Sequence, residues 1–328
     1  MGLGSKVTDI RHVFGAYEAE LRAVEDRLVE FFKSDALLIS LVGRHLLLGG
    51  GKRLRPLFLL VSARLSGYKG DAHITLASIV ELIHMASLLH DDVVDGATTR
   101  RGRPSAHSIW GNQVVILVGD FLYSNALKVS VSFKNQQIME TLSDATTSMA
   151  EGEVLQLSKA GDPTIKEDEY MKIISSKTGK LISAACTIGG ILANRAGQEI
   201  DALAEFGLKA GMAFQMVDDI LDYMAEENAL GKRLGKDLEE GKITLPLIYL
   251  LDSVSEDIKP EIIDIIKGNG KGLNRVIELF KKYNALEDSM KRASLLIEEA
   301  KSALRVFGDC PEKEHMLCLA DYALLRHN

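Results

Sequence analysis

The chain has 328 residues, 46% of them hydrophobic and 26% charged, enough to bury a large core in one or two domains. A net charge of −7 and a pI near 5.7 give no overall attraction to nucleic acid or an anionic membrane, so any anion site must be built from local basic clusters. The three cysteines, Cys186, Cys310 and Cys318, include no C-x-x-C pair; they argue against a disulfide framework and point to a reducing compartment.

Taken in order, the chain begins with "MGLGSKVTDIRHVFGAYEAE", which has no apolar leader core. The first break, "LGGGKRLRP" (48–56), places Lys52, Arg53 and Arg55 after glycines that let backbone approach an anion. It is not a Walker loop, because no Ser or Thr follows Lys52. Leu76, Ile79, Val80 and Ile83 recur at helical spacing and predict a helix that runs into "LLHDDVVDGATTRRGRP" (88–104). There Asp91 and Asp95 lie one turn apart with Asp92 beside them, at the C-terminal end of the helix. Three carboxylates are unfavourable at that end, where the dipole is already negative and like charges repel. A cation should offset them, and hard oxygen ligands point to Mg²⁺ bridging carboxylates to phosphate oxygens. Arg100 and Arg101 follow directly.

Further along, "SSKTGK" adds Lys177 and Thr178, and it leads into what reads as the longest uncharged apolar stretch, roughly 181–194. That stretch is shorter than the ~18 residues a spanning helix needs, so a cytoplasmic chain without a transmembrane segment is expected. Phe206, Ala210, Ala213, Phe214 and Val217 predict another helix, which carries "FQMVDDILDYM" with Asp218, Asp219 and Asp222 at the spacing of the first cluster. With 22 aspartates in the chain, chance gives about 0.1 D-D-x-x-D per sequence, so the pair is improbable as an accident. If the two helices face each other, six carboxylates surround one cavity fit for divalent ions and a polyphosphate. The break at 229–246, "ALGKRLGKDLEEGKITLP", adds Lys232, Lys236 and Lys242. Two phosphate-bearing substrates side by side would account for both kinds of site, one phosphate held through metal and the other directly by Lys and Arg.

The six prolines stand where periodic patterns start or stop, and no alternating apolar run marks a strand. An all-α chain of about a dozen helices, forming a single domain over 1–328, is expected.

These residues resemble the trans-isoprenyl (polyprenyl) diphosphate synthases, through "GGKRLRP" (50–56), "LLHDDVVDGATTRRGRP", "GDFLY" (119–123), "SSKTGKL" (175–181), "FQMVDDILD" (214–222), "GKDLEEGKITLP" (235–246) and "LADYALLR" (319–326). The resemblance covers nearly the whole chain in the right order, and is closest in kind to the longer-chain, octaprenyl-type members. It implies an isoprenoid-synthase-type helical bundle around a deep central cavity, and a homodimer. It also implies head-to-tail condensation of isopentenyl diphosphate with an allylic diphosphate primer, dependent on Mg²⁺ at three ions per active site. By that resemblance Asp91, Asp92, Asp95, Asp218 and Asp222 bind the metal, and Asp219 belongs to the catalytic set. Lys52, Arg55, His84 and Arg101 hold isopentenyl diphosphate. Arg100, Lys177, Thr178, Gln215, Lys232 and Lys242 face the allylic diphosphate.

Other readings are a metal phosphohydrolase using "HDD" with His84 or His107, a noncatalytic synthase subunit and a terpene cyclase. The second aspartate cluster and the intact motifs count against them. For product length, Ala86 and Ser87 lie five and four residues before Asp91, where short-chain members of the family often carry a bulky aromatic. Small residues there leave a tunnel open to a product longer than four isoprene units, seven to nine by resemblance, with Met139, Leu142 and Met149 as candidates for its floor. A short-chain farnesyl or geranylgeranyl synthase is the alternative.

Overall fold

Four of the six prolines stand in the first turn of a helix, where the missing N–H leaves no bond unmade: Pro56, Pro246, Pro260 and Pro311. The computed structural model describes residues 9–100, 102–224, 234–268 and 270–325. Among these the chain forms seventeen α-helices. In order they are α1 (Ile10–Ala16), α2 (Glu18–Phe31), α3 (Leu37–Leu48), α4 (Leu54–Leu65), α5 (Ala72–Val94), α6 (Ala106–Trp110), α7 (Asn112–Ser132), α8 (Gln136–Ser158) and α9 (Glu167–Ile174). There follow α10 (Lys180–Leu192), α11 (Gln198–Leu221), α12 (Lys236–Glu239), α13 (Leu245–Ser253), α14 (Lys259–Lys267), α15 (Leu273–Tyr283), α16 (Ala285–Ala303) and α17 (Pro311–Leu324). Strands are incidental, as the missing alternation implied: β1 (Thr99–Arg100) pairs antiparallel with β2 (Arg103–Pro104), Arg100 opposite Arg103. The helices outnumber the expected dozen because pieces as short as α6 and α12 fill glycine-rich breaks that hydrophobic periodicity does not register.

Chain contacts divide the residues into two compact units: Met1–Thr146 with Ala184–Ala204 and Val306–Leu319, and Thr147–Ser183 with Glu205–Arg305 and Ala320–Asn328. In the first unit α5 packs against α2, α4 and α7. Leu76, Ile79, Val80, Leu82 and Ile83 are all but fully buried, more than one stripe of the helix, so α5 is enclosed on several sides. By length and composition α5 and α7 are both apolar enough to cross a membrane, at mean hydropathy 1.6 and 1.5; charged residues such as Glu81 and Asp120 interrupt them, so a search for uncharged stretches passes them over. The α5 window is two-thirds buried (67%), that of a core helix, whereas the α7 window is only 33% buried. Gly119 of α7 permits a close approach to α5, since a Cβ there would sit 2.2 Å from Nε2 of His90. That ring nitrogen lies 3.1 Å from the Ile116 carbonyl, so His90 serves to seat the end of α5, beside Asp91 and Asp92, on α7.

In the second unit α13 packs against α15 and α16, and α9 runs into a π-helical turn, Ser175–Gly179. Gly152 of α8 lets that turn come close: a Cβ would meet Ser176 Cβ at 2.8 Å and the Lys177 backbone nitrogen at 2.9 Å. π-turns inside helices are frequent at functional sites, and this one carries Lys177 and Thr178.

Gly189 of α10 packs on α4, where a Cβ would lie 2.3 Å from Ser62 Oγ and 2.6 Å from the Ala63 backbone nitrogen. Gly189→Ala should therefore lower unfolding stability by about 1–3 kcal/mol. Gly15→Ala, on an exposed helix position with open space around it, should raise stability by about 0.5–1 kcal/mol. Denaturant unfolding of both variants checks the pair.

Candidate active site

Two glycine-rich breaks and the end of α5 meet in one cleft of the first unit, lined among others by Gly50, Arg53, Glu81, His84, Asp92 and Arg100. Asp91 and Asp92 occupy the last turn of α5, and Asp95 is its cap residue, with its N–H donating to the Asp91 carbonyl at 2.8 Å. The three are not equivalent. Asp92 is 2% exposed and accepts from Arg100, whose Nε and Nη2 each stand 2.8 Å from the same Oδ1; Asp91 and Asp95 are partly exposed. The β1–β2 hairpin turns the chain back and presents Arg100 to the helix end it has just left.

The second cluster, in the second unit, repeats this division of labour. Asp218 is exposed and Asp222 partly so, whereas Asp219 is buried with both oxygens engaged: Tyr170 Oη donates at 2.7 Å and Gln215 Nε2 at 2.8 Å. Gln215 Oε1 in turn accepts from Thr178 Oγ1 at 2.8 Å, so Thr178, Gln215, Asp219 and Tyr170 form one chain of hydrogen bonds. Burial raises the Asp219 carboxyl to about 7, and the Asp218 charge adds to the rise, against the two hydrogen bonds and the Lys177 charge. Burial likewise raises Asp222 and Asp237, the latter also through the charges of Asp219 and Asp222. Asp237 belongs to this cluster through its N–H, 3.0 Å from Asp222 Oδ2. Gly235, at φ 69°, donates to the Asp222 carbonyl at 2.9 Å and so folds the "GKD" break back onto the aspartates.

The basic residues are held by acids. Lys177 Nζ stands 2.7 Å from Glu153 Oε1 and donates to Gln156 Oε1 at 2.9 Å, and Lys242 Nζ stands 2.6 Å from Glu240 Oε2. Lys52 is exposed, and Arg55, in the first turn of α4, is half-buried. Arg101 and Lys232 lie outside the described residues. Ala86 is fully buried, while Ser87 is partly exposed and donates to the His84 carbonyl at 2.9 Å. Of the floor candidates on α8, Leu142 and Met149 are buried and Met139 is partly exposed.

Sequence reasoning missed Glu153, Gln156, Tyr170 and Asp237. Glu153 and Gln156 had a signal, an acid and an amide three apart on one helix face, and Asp237 had another, an acid between two lysines in a glycine-bounded break. Tyr170 had none, since its partner is 49 residues away.

The carboxylates fit a hard divalent cation: every donor is an oxygen, and burial has raised three of the groups in a way that a nearby cation would reverse. Among the described residues no three acidic, histidine or cysteine groups already close on one point.

The polyprenyl synthetase family model matches residues 37–283. An octaprenyl diphosphate synthase of Escherichia coli (strain K12) is 41% identical over 94% of this chain and 96% of its own length. A short chain isoprenyl diphosphate synthase of Methanothermobacter thermautotrophicus is 37% identical over 87% of this chain and 89% of its own. Among solved structures, a polyprenyl synthase from Caulobacter crescentus CB15 complexed with calcium and isoprenyl diphosphate superposes with a TM-score of 0.93 at 36% identity, covering 98% of this chain and 99% of that one.

The raised Asp219 carboxyl has a consequence for stability without metal. The folded group gives up its proton near pH 7 and the unfolded one near pH 4, so its stabilising contribution is complete below about pH 4 and lost as pH rises through about 7. Asp219→Asn removes that loss. In metal-free buffer the melting temperature of the parent protein should fall relative to that of Asp219→Asn between pH 5.5 and 8, read by calorimetry at each pH.

Proposed function

The chain belongs to the polyprenyl synthetase family and is a prenyltransferase, and we propose that it joins isopentenyl diphosphate head to tail to an allylic diphosphate, giving a medium- or long-chain all-trans polyprenyl diphosphate. The observation that carries this reading is the repeated acidic helix end. In each, the outer aspartates stand one turn apart and more exposed than the middle one, which is buried and hydrogen-bonded to the protein. The family match runs across residues of both compact units, which supports one synthase domain rather than two separate functions.

Asp91, Asp92, Asp95, Asp218 and Asp222 would hold Mg²⁺, three ions at a full site. Bound there, it would supply positive charge to offset the negative charge that builds on the departing diphosphate. Arg100, Lys177, Lys232 and Lys242 take the oxygens of that diphosphate, and Lys52, Arg55, His84 and Arg101 take those of isopentenyl diphosphate. Thr178 and Gln215 offer hydroxyl and carbonyl dipoles to the positive charge developing on the allylic carbon, and the hydrogen-bond chain through Asp219 to Tyr170 fixes their orientation. The chain's remaining task is to hold the two substrates in line and keep water from the cation. A homodimer fits the exposed apolar face of α7, where Ile116, Leu117, Leu127 and Val131 are 41 to 67% exposed, and a cytoplasmic location fits the sparse cysteines.

The family includes both long- and short-chain makers, so product length must come from this chain's own residues. Ala86 and Ser87, one turn before Asp91 on α5, have no ring to stop a growing tail, and the higher identity is to the octaprenyl synthase. Seven to nine isoprene units is the expected product.

Incubation with isopentenyl diphosphate and a labelled allylic primer tests the reading: condensation should require Mg²⁺, and Asp91→Ala or Asp218→Ala should each cut the rate by about 10²-fold or more with the fold intact. Near-parental turnover in either variant would remove that cluster from the metal site. Chromatography of the dephosphorylated products tests length. Ser87→Phe should shorten the product to three or four units, and it is a better probe than Ala86→Tyr because Ala86 has no exposed surface to receive a ring.

A further inference from the structure

The loop "GGGKRLRP" offers three cations in four residues, and the fold treats them differently. Lys52 is exposed, whereas Arg53 is 8% exposed and turned inward. Its Nε stands 2.5 Å from Glu25 Oε1, its Nη2 3.3 Å from Glu25 Oε2, and its Nη1 2.9 Å from Glu81 Oε1. One guanidinium thus ties the start of α4 to α2, which carries Glu25, and to α5, which carries Glu81. With two carboxylates on it, Arg53 is neutralised and poorly suited to bind phosphate itself.

The backbone supports the same conclusion. Arg53 is left-handed, at φ 49° and ψ 40°, a conformation that glycine adopts freely and a residue with a Cβ does not. An arginine here needs a compensating contact, and the two-sided clamp provides it. Glu81 lies three residues before His84 on α5, and Arg53, Glu81 and His84 line one cleft with Gly49 and Gly50.

We propose that Arg53 is a positioning residue for isopentenyl diphosphate: clamped by Glu25 and Glu81, it fixes the exit of the glycine loop so that Lys52, Arg55 and His84 keep the spacing a diphosphate requires. This rests on the assignment of isopentenyl diphosphate to that loop. The planar fork of arginine can hold two carboxylates at fixed angles, which a lysine ammonium cannot do. Loss of the clamp disorders groups that bind the substrate, and so acts on its binding rather than on the chemical step.

Steady-state kinetics separate this from other roles, with each substrate varied in turn for Arg53→Lys, Glu81→Gln and the double variant Arg53→Gln/Glu81→Gln. Arg53→Lys should raise KM for isopentenyl diphosphate about tenfold or more, with kcat and the primer KM kept within about threefold. Glu81→Gln should also raise it, although Arg53 is then freer to meet a phosphate. An unchanged or lower KM in Glu81→Gln would mean that Arg53 is itself a phosphate ligand, and would overturn the proposal. Equal rises in both KM values would mean general loosening, and would overturn it as well. Should Arg53→Lys unfold, the double variant, which leaves neither Arg53 nor Glu81 buried and unpaired, tells a selective rise in the isopentenyl diphosphate KM from general loosening, and Glu81→Gln still decides whether Arg53 is a phosphate ligand. Failure of the parent protein to consume isopentenyl diphosphate at all would instead refute the proposed function and would be seen before any variant is made.

Discussion

Carboxylate crowding at the ends of two helices is the constraint on which the rest of this structure depends. Each of α5 and α11 finishes on a D-D-x-x-D cluster, where the backbone dipole already places negative charge and where like charges one turn apart repel. Part of the answer lies in the protein's own bonds. Arg100 pairs with Asp92 through one carboxylate oxygen, and Tyr170 with Gln215 engages both oxygens of Asp219, so in each cluster the middle carboxylate is held by the protein. On the proposed function, a divalent cation and the oxygens of a diphosphate would together relieve the rest of the repulsion. Burial and mutual repulsion raise the Asp219 and Asp237 carboxyls, and burial raises that of Asp222, which is the electrostatic expression of that crowding at the second cluster.

The cations around these clusters follow a complementary rule. Lys177 leans on Glu153 and Gln156, Lys242 on Glu240 and Arg53 on Glu25 and Glu81. Long flexible side chains are thereby ordered before substrate arrives, which lowers the entropy lost on binding. The strength of the hold then separates roles. A lysine with a partly exposed partner can be drawn to a phosphate, whereas a guanidinium 8% exposed between two carboxylates stays where it is and fixes the loop around it.

Most of the fold was legible in the sequence, because apolar spacing of three and four and prolines in first turns both report local geometry. The pairs of aspartates were legible for the same reason: four residues is one turn, wherever the helix packs. Residues that act through distant partners were not. Arg53 looked like one more phosphate ligand because Glu25 and Glu81 lie 28 residues away on either side, and no spacing rule connects them. Tyr170 is a buried apolar-face residue until α11 brings Asp219 to its hydroxyl. The membrane-length apolarity of α5 was missed because His84, His90 and Glu81 interrupt its run, and only burial shows that it is the core helix of its unit.

Thermal unfolding with Mg²⁺ alone, with inorganic pyrophosphate alone and with both together tests the dependence of this site on a metal–diphosphate pair most directly. Carboxylates that need both should give a rise in melting temperature with the two together that exceeds the sum of the separate rises, because each ligand completes the other's coordination. A rise that is merely additive, or no rise at all, would contradict the central role of the two acidic helix ends.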